Sequence, residues 1–291
     1  MELLLLNRFE LRQMVGEGSF GKVYQAFDKH TGEDVAVKIE DQKDPQKKTV
    51  LRMEYKILKH IKKSLLDKQI NPPILYPILF GKQDNYSIMV MELGLNSLQN
   101  LVEKQPMKKF GMKTILMLAI RMTNCLEMIH KCSIIHRDIK PSNFMITIYN
   151  DIRLIDFGLA KKYQSSIFKT SSVPFVGTCR YASINTHRGR TYRKVDDIES
   201  MLYSLIYLYN GTLPWQGIKA PNKKIKYNRV RQKKENLSAS DICQCPGLTN
   251  ALDYIRGLGS QQFDYNNLKK LFKQALKQHG WKDDNIFNWT D

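Results

Sequence analysis

The chain has 291 residues, 42% of them hydrophobic, which is enough apolar material for one or two cores. No apolar run approaches the roughly 18 residues of a membrane span, and residues 3–6 are too short for a signal-peptide core, so we expect a protein without a membrane span, located in the cytoplasm, the nucleus or both. The formal net charge of +18, from 46 Lys+Arg against 28 Asp+Glu, favours an anionic partner wherever it is not simply solvated surface.

The five cysteines are odd in number and show no zinc-binding spacing, since Cys243 and Cys245 have no second pair. Free thiols in a reducing compartment are therefore expected. The six histidines form no ligand cluster either, and His136 is predicted to be a packed, structural residue.

Residues 11–91 are predicted to form a twisted antiparallel sheet with one helix at residues 49–61. The apolar residues of that helix recur at helical spacing: Val50, Met53, Ile57, Leu58 and Ile61. The rest is predicted to be largely helical, with long buried helices at residues 113–132 and 194–210. Gly211 ends the second of these helices. The predicted fold class is α+β.

A glycine loop lies in the predicted sheet, with the sequence Gly16-Glu17-Gly18-Ser19-Phe20-Gly21-Lys22-Val23. Glycines let backbone N–H groups approach phosphate oxygens that a Cβ would keep away. This pattern also occurs in ordinary hairpins, so it is weak by itself. Together with the motifs that follow, it predicts ATP binding by Gly16, Gly18, Ser19, Gly21 and Val23.

The apolar run Val35-Ala36-Val37-Lys38 follows the loop. Lys38 is expected to bring positive charge to the α- and β-phosphates and to need an acidic partner, and Ala36 is expected to contact ATP. Glu54, on the mostly core-facing side of the predicted helix, is the expected partner. Glu40 and Asp41 are nearer in sequence but are expected to lie in a solvated turn.

Residues 134–148 carry His136-Arg137-Asp138 and Asn143, and Asp156-Phe157-Gly158 comes later. Asp138 is expected to accept the proton of the attacking hydroxyl, and Lys140 to steady the transferring phosphoryl group. Asn143 and Asp156 are expected to hold Mg²⁺. Each block alone can be an ordinary loop or turn, but the four blocks in this order indicate a protein kinase.

Three further blocks resemble the casein kinase I family of Ser/Thr protein kinases. They are residues 154–163, Gly177-Thr178-Cys179-Arg180-Tyr181-Ala182-Ser183-Ile184-Asn185 and Leu213-Pro214-Trp215-Gln216-Gly217. The resemblance covers nearly the whole chain. It implies one bilobal kinase domain over residues 1–291, with an N-lobe at about 9–91, a hinge at about 92–95 and a C-lobe at about 96–291, and with ATP and Mg²⁺ bound between the lobes.

The same resemblance implies roles for single residues. Met91 matches the gatekeeper, Glu92 and Leu93 match hinge residues that contact ATP, and Asp197 matches the aspartate that braces the catalytic loop. Arg180, Gly217 and Lys226 match an anion-binding site for the substrate.

The resemblance also implies a monomeric kinase that prefers acidic or phosphate-primed protein substrates. Phosphorylation of the activation loop is not expected to be required, although Arg137 could receive a phosphate. The hydroxyls that could carry one are Ser165, Ser166, Thr170, Ser171 and Ser172. Basic residues cluster in the same part of the chain, and residues 223–226 resemble a nuclear localisation patch.

Parts of the chain depart from the family pattern. Ser142 stands where an acidic residue is expected. Residues 62–73 are additional length, for which a plain loop is favoured over a partner surface. No family property is assigned to residues 236–262.

Two alternatives remain open. A catalytically silent scaffold would keep this fold, yet Lys38, Asp138, Asn143 and Asp156 are all present. A nucleic-acid-binding protein would explain the charge, but the chain has no zinc-finger or aromatic RNA-binding signature, so nucleic-acid binding is not expected.

Overall fold

The computed structural model describes residues 4–18, 21–42, 49–163, 173–259 and 262–290. The chain divides into two compact units. The first joins Met1–Leu95 to Arg153–Ala160, and the second joins Asn96–Ile152 to Lys161–Asp291. The return segment Arg153–Ala160 brings Asp156 into the first unit, although its neighbours in sequence on both sides belong to the second.

The first unit contains a six-stranded antiparallel sheet with the strand order β1-β2-β3-β4-β6-β5. This confirms the sheet predicted for residues 11–91. Its fully buried core residues include Phe9, Ala26, Val37, Ile88 and Val90. The strands are β1 (Leu4–Leu5), β2 (Phe9–Gly18), β3 (Gly21–Asp28), β4 (Glu33–Asp41), β5 (Pro77–Gln83) and β6 (Tyr86–Glu92).

The helix of the first unit, α1 (Val50–Leu66), begins where predicted and is longer than predicted. The Thr49 hydroxyl caps its first turn. The prediction of a loop over residues 62–73 is wrong for residues 62–66, because these five residues continue the helix. Burial of Leu65 stabilises this last turn, and no helix-breaking residue occurs before Pro72.

The buried stripe of α1 differs from the predicted one. Its members are Leu51, Glu54, Leu58, Ile61 and Leu65, spaced three and four residues apart. Val50 and Ile57 are only partly buried, and Met53 is 49% exposed. Because successive helical residues are about 100° apart, Met53 lies well off the stripe that holds Glu54.

The prediction of a solvated turn at Glu40 and Asp41 is wrong. Both residues belong to β4, and the Glu40 carboxylate accepts hydrogen bonds from the backbone N–H groups of Val50 (3.3 Å) and Leu51 (2.9 Å). Glu40 thus satisfies two of the N–H groups that the first turn of α1 leaves without helical partners. A carboxylate at a helix N-terminus is also favoured by the helix dipole.

The second unit is mainly helical. Its central helices, α3 (Met112–Lys131) and α5 (Lys194–Asn210), pack against each other and confirm the two long buried helices predicted. Gly211 ends α5 with φ 79°, as predicted. The other helices are α2 (Leu98–Glu103), α4 (Ile184–His187), α6 (Lys223–Asn236), α7 (Ala239–Ile242), α8 (Pro246–Gly257) and α9 (Tyr265–Gln278).

The helical spacing of apolar residues in α3 is confirmed by their burial, at Ile115, Leu118, Ala119, Met122, Leu126 and Ile129. The short strands β7 (Asn96–Ser97) and β9 (Phe144–Ile146) pair, as do β8 (Ile134–Ile135) and β11 (Lys161–Lys162). The strand β10 (Ile152–Leu154) leads into the return segment. An antiparallel sheet with one helix in the first unit, together with a mainly helical second unit, confirms the predicted α+β fold class.

All five cysteines are free thiols, and four of them are buried. Across the residues that the structure describes, no helix is both long enough and apolar enough to cross a bilayer.

Candidate active site

Lys38 lies on β4, where its register neighbours are Val23 on β3 and Met89 on β6. Its ammonium group donates hydrogen bonds to Glu54 (2.8 Å, Nζ to Oε2) and to Asp156 (3.0 Å, Nζ to Oδ1). Glu54 is therefore the acidic partner of Lys38, as expected from its place on the predicted helix. All three residues belong to the first unit.

Two opposite effects set the pKa of Lys38. Burial acts to lower it, but the negative charges of Glu54 and Asp156 outweigh burial and raise the pKa above its ordinary value. Lys38 therefore keeps its positive charge at neutral pH, which a residue that binds phosphate oxygens requires.

The second carboxylate oxygen of Glu54 accepts a hydrogen bond from the backbone N–H of Phe157 (3.0 Å). Phe157 is fully buried, and Asp156 before it has left-handed backbone, with φ 64°. Glu54 thus ties the lysine of β4 to the segment that carries Asp156. The buried Glu54 carboxylate thus positions both Lys38 and the segment of Asp156, which are expected to lie near the nucleotide.

Gly16 and Gly18 lie at the end of β2 and Gly21 begins β3, with Gly16 opposite Val23 and Gly18 opposite Gly21. Gly21 has φ 132°, and a Cβ there would lie 2.1 Å from the carbonyl oxygen of Ile39, so the fold itself demands glycine. Cβ atoms at Gly16 and Gly18 would meet no close contact. A close-approaching ligand would explain these two glycines. Ser19, also predicted to bind ATP, lies outside the described residues.

The other predicted ATP-binding residues lie on neighbouring strands of the same sheet. Ala36 on β4 is buried and stands opposite Met91 on β6. The Glu92 carboxylate accepts a hydrogen bond from the backbone N–H of Tyr76 (2.9 Å), and partly buried Leu93 follows the strand. Apart from Leu93, which follows β6, every nucleotide-binding residue predicted within the described part of the first unit therefore lies on one sheet.

Asp138 belongs to the second unit, where three donors meet its carboxylate. Lys140 Nζ lies 2.7 Å from Oδ2, and the backbone N–H and hydroxyl of Thr178 lie 2.8 and 2.7 Å from Oδ1. Lys140 is thus beside Asp138, as expected. The contact from Thr178 was not predicted, although Thr178 is part of the Gly177–Asn185 block that carries the family resemblance.

Asn143 lies in a short 3₁₀ helix, Pro141–Asn143, and its side-chain N–H donates to the backbone carbonyl of Asp138 (2.9 Å). This bond leaves the amide oxygen of Asn143 as the atom that can ligate a cation. Asp156 offers a carboxylate, and these oxygen ligands suit Mg²⁺. The described residues contain no group of three or more His, Cys, Asp or Glu side chains that could hold a metal. Asn143 and Asp156 are the predicted Mg²⁺ ligands.

Asp197 on α5 braces the catalytic loop, as the family pattern implies. Its carboxylate accepts hydrogen bonds from the backbone N–H groups of His136 (2.8 Å) and Arg137 (2.9 Å), and His130 Nε2 lies 2.9 Å away. Burial acts to raise the pKa of Asp197, but the hydrogen bond and charge of His130, with those of His136, hold it below the ordinary value. The ionised carboxylate thereby holds Arg137 in its left-handed conformation, φ 69°.

The Ser-Ile-Asn block is anchored to α5. Ser183 and Asn185 donate to the buried carboxylate of Asp196, each at 2.9 Å, and the N–H of Ile184 donates to Glu199 (3.1 Å). Burial raises the pKa of Asp196 to about 7. These hydrogen bonds therefore hold the Ser-Ile-Asn block against α5.

The predicted anion-binding residues Arg180, Gly217 and Lys226 occupy three segments of the second unit. The Arg180 guanidinium lies over the ring of Tyr207 (5.5 Å), and its carbonyl accepts a hydrogen bond from the ring N–H of Trp215 (2.7 Å), two residues before Gly217. Lys226, on α6, is exposed. The loop that carries Gly217 is thus tied directly to Arg180.

Lys234 on α6 is a structural residue that sequence reasoning missed. It is fully buried, donates to the carbonyls of Ala182 (2.6 Å) and Cys179 (3.1 Å), and lies over the rings of Tyr203 and Trp215. Burial lowers its pKa to about 7. No sequence pattern distinguishes Lys234 from the other basic residues of α6, so only the tertiary structure shows that it is buried.

Comparison with known families gives one result. The protein kinase domain family matches residues 9–281, which include both compact units and every motif discussed above. A match over nearly the whole length shows the family, and Lys38, Glu54 and Asp156 already lie together on the fold. This chain therefore belongs to the protein kinase family, whose members transfer a phosphoryl group from ATP to proteins.

Proposed function

We propose that this kinase is a Ser/Thr protein kinase of the casein kinase I type, monomeric, and active without phosphorylation of its activation loop. The proposal rests on the hydrogen bonds that the Glu54 carboxylate accepts. Kinases need the lysine–glutamate ion pair and the metal-binding aspartate in place, and loop phosphorylation often controls both. Here Glu54 binds Lys38 and the backbone N–H of Phe157, and Lys38 binds Asp156, so contacts within the first unit assemble this set. Residues 164–172, with the five candidate hydroxyls, lie outside the described part.

In the proposed reaction, Lys38 holds the α- and β-phosphates, while the backbone of Gly16, Gly18 and Gly21 covers them. Asp138 accepts the proton of the substrate hydroxyl as that oxygen bonds to the γ-phosphorus and the bond to the β-phosphate oxygen breaks. Lys140 offsets the negative charge that gathers on the transferred group. These residues act mainly by position and charge.

Asn143 and Asp156 would hold Mg²⁺, which when bound would neutralise part of the negative charge of the phosphates. Met91, Glu92 and Leu93, with Val23 and Ala36, would contact the nucleoside. The family match includes both compact units, which supports one kinase domain with lobes at about residues 9–91 and 96–291.

We further infer a preference for acidic or phosphate-primed substrates. The Arg180 guanidinium offers a planar fork that fits phosphate oxygens, Lys226 adds a flexible point charge, and Gly217, exposed with φ 78°, can present its backbone N–H. The alternative is that these residues only hold the surrounding backbone. The Trp215 bond involves only the backbone carbonyl of Arg180, while the guanidinium lies over the rings of Tyr181 and Tyr207.

One assay tests these proposals. Phosphatase-treated protein is assayed on matched peptides that differ in the acceptor (Ser, Thr or Tyr) and in a phosphoserine placed before it. We expect turnover on Ser and Thr only, with about a tenfold gain in kcat/KM for the primed peptide, because charge-assisted hydrogen bonds contribute roughly 1.5–3 kcal/mol each.

Asp138→Asn and the pair Arg180→Ala, Lys226→Ala serve as matched variants. Asp138→Asn should bind ATP and lose roughly 10²- to 10⁴-fold in turnover. The pair should lose only the gain from priming. ATP binding without turnover in the unmodified protein would indicate a scaffold instead, and equal losses on primed and unprimed peptides would make Arg180 and Lys226 structural.

A further inference from the structure

A surface groove lies between α3 and α9 in the second unit. It consists of two adjoining cavities of about 440 and 400 Å³, which share Ile120, Lys273 and Lys277. We refer to it as the α9 groove. None of its residues has a role in the phosphoryl transfer proposed above.

The α9 groove is strongly basic. Lys270, Lys273 and Lys277 are exposed and follow each other at three and four residues, so they share one face of α9. Like charges at this spacing destabilise a helix. Within the described part of the chain, no carboxylate forms an ion pair with any of these three lysines.

The acidic residues nearby are already paired. Glu127 binds Lys269 (2.8 Å) and Lys131 (2.7 Å), and Asp283 at the far end of the groove binds Arg121 (2.7 Å). The remaining charge on the groove is therefore positive, and an anionic partner would be attracted to it.

The rest of the lining indicates the kind of anion. Its apolar lining comes from Ile120 and Leu276, which are 5% and 4% exposed, and from the partly buried Trp281. Amide side chains come from Asn124, Asn266 and Gln274. Amides both donate and accept hydrogen bonds, as a peptide backbone does, whereas a phosphodiester backbone offers acceptors only. This mixture of amide, apolar and ammonium groups fits a peptide better than a nucleic acid.

We propose that the α9 groove docks an acidic segment of a partner protein. Its carboxylates or phosphates bind Lys270, Lys273 and Lys277, and one apolar side chain rests on Ile120 and Leu276. At about 1.5 Å per helical residue the three lysines span about 10 Å, which matches about three residues of extended peptide. The docking segment of the partner therefore contains acidic residues next to an aliphatic residue. It is separate from the hydroxyl that is phosphorylated.

The test uses a fluorescent glutamate-rich peptide with one central leucine and no hydroxyl side chain, so that it is not a substrate. Its binding is followed by anisotropy on the full chain and on the variant Lys270→Gln, Lys273→Gln, Lys277→Gln. Glutamine keeps helix propensity and removes the charge. The control is Lys56→Gln, Lys59→Gln, Lys63→Gln, which removes three lysines at the same spacing from α1.

We expect about tenfold weaker binding for the α9 variant and little change for the α1 variant, since three exposed ion pairs are lost only in the first. The peptide with glycine in place of leucine should bind more weakly. The α9 variant should also melt at the same or a higher temperature, because repulsion along the helix is relieved.

Other results would overturn the proposal. Equal losses in both lysine variants would mean unspecific charge attraction, and loss in Arg180→Ala, Lys226→Ala would place the peptide at the substrate site. A labelled single-stranded RNA that binds more tightly than the peptide and loses binding in the α9 variant would make the groove a nucleic-acid site. No measurable binding, no effect of the leucine, or a lower melting temperature of the α9 variant would also contradict it.

Discussion

Tyr265 and His130 are joined by a hydrogen bond in the second unit, with 2.5 Å between the phenolic oxygen and Nδ1. The other ring nitrogen of His130 faces the Asp197 carboxylate at 2.9 Å, and Asp197 binds the backbone N–H groups of His136 and Arg137. A residue at the start of α9 is therefore connected, through three hydrogen-bonded links, to the loop that carries Asp138.

Tyr265→Phe should lower kcat by about two- to tenfold, because losing one hydrogen bond of roughly 0.5–1.5 kcal/mol lets His130 and Asp197 hold the loop less firmly. The KM for ATP should not change, since the nucleotide-binding residues lie in the first unit. Steady-state kinetics on a peptide substrate measure both constants. The matched control is Tyr254→Phe, because the Tyr254 hydroxyl accepts a hydrogen bond from the backbone N–H of Asp264. Equal effects of the two changes would contradict a positioning role for Tyr265.

Lys38→Met should remove activity, because the α- and β-phosphates lose their fixed positive charge. It also leaves Glu54 buried without its ammonium partner, which is strongly destabilising. Thermal unfolding and ATP binding are therefore measured beside turnover. Lys82→Met, which removes an exposed lysine from β5 of the same sheet, should behave as the unmodified protein. Retained turnover in Lys38→Met would show that another lysine binds the phosphates.

Glu40→Ala should lower the free energy of unfolding by about 0.5–2 kcal/mol, the usual effect of removing a helix cap. The reason is that the N–H groups of Val50 and Leu51 lose their acceptor. Denaturant titration measures the change. The neighbouring exposed residue gives the comparison, since Asp41→Ala should change stability by less than about 0.5 kcal/mol. A loss as large at Asp41 as at Glu40 would mean that β4, rather than the cap, is affected.

The stability of the protein should fall in acid because of His187. Burial, together with the positive charge of Lys234, lowers the pKa of His187 from 6.5 to about 3. Between about pH 6.5 and pH 3 the unfolded chain therefore binds a proton that the folded chain does not, so stability is lost as the pH falls through this window. One such group contributes a slope of at most about 1.4 kcal/mol per pH unit.

Unfolding free energies measured from pH 7 to pH 4 test this expectation. His187→Gln should flatten the pH dependence, whereas His279→Gln, at an exposed histidine, should leave the slope unchanged. An unaltered slope in His187→Gln would mean that other groups cause the acid sensitivity.

Much of this protein could be predicted from local patterns. The spacing of apolar residues predicted α3, because a helix buried on one side must repeat its apolar residues every three to four positions. The near-continuous apolar run over residues 201–209 predicted α5, since such a run indicates a helix buried on most sides. The motif residues were also identifiable, since phosphate binding and proton transfer require particular side chains in a known order. The partner of Lys38 was predictable for the same reason, as Glu54 was the acidic residue on the inner side of its helix.

Only the tertiary structure revealed several contacts between residues of different segments. The capping of α1 by Glu40, the contact of Thr178 with Asp138 and the burial of Lys234 each join segments that the chain brings together only on folding. The sequence does not show whether a charged side chain is solvated or buried, because its burial depends on carbonyls and rings that other elements supply. For that reason the sequence by itself determined the family, the main elements and the identity of the reactive groups, and the fold decided which polar residues hold those groups in place.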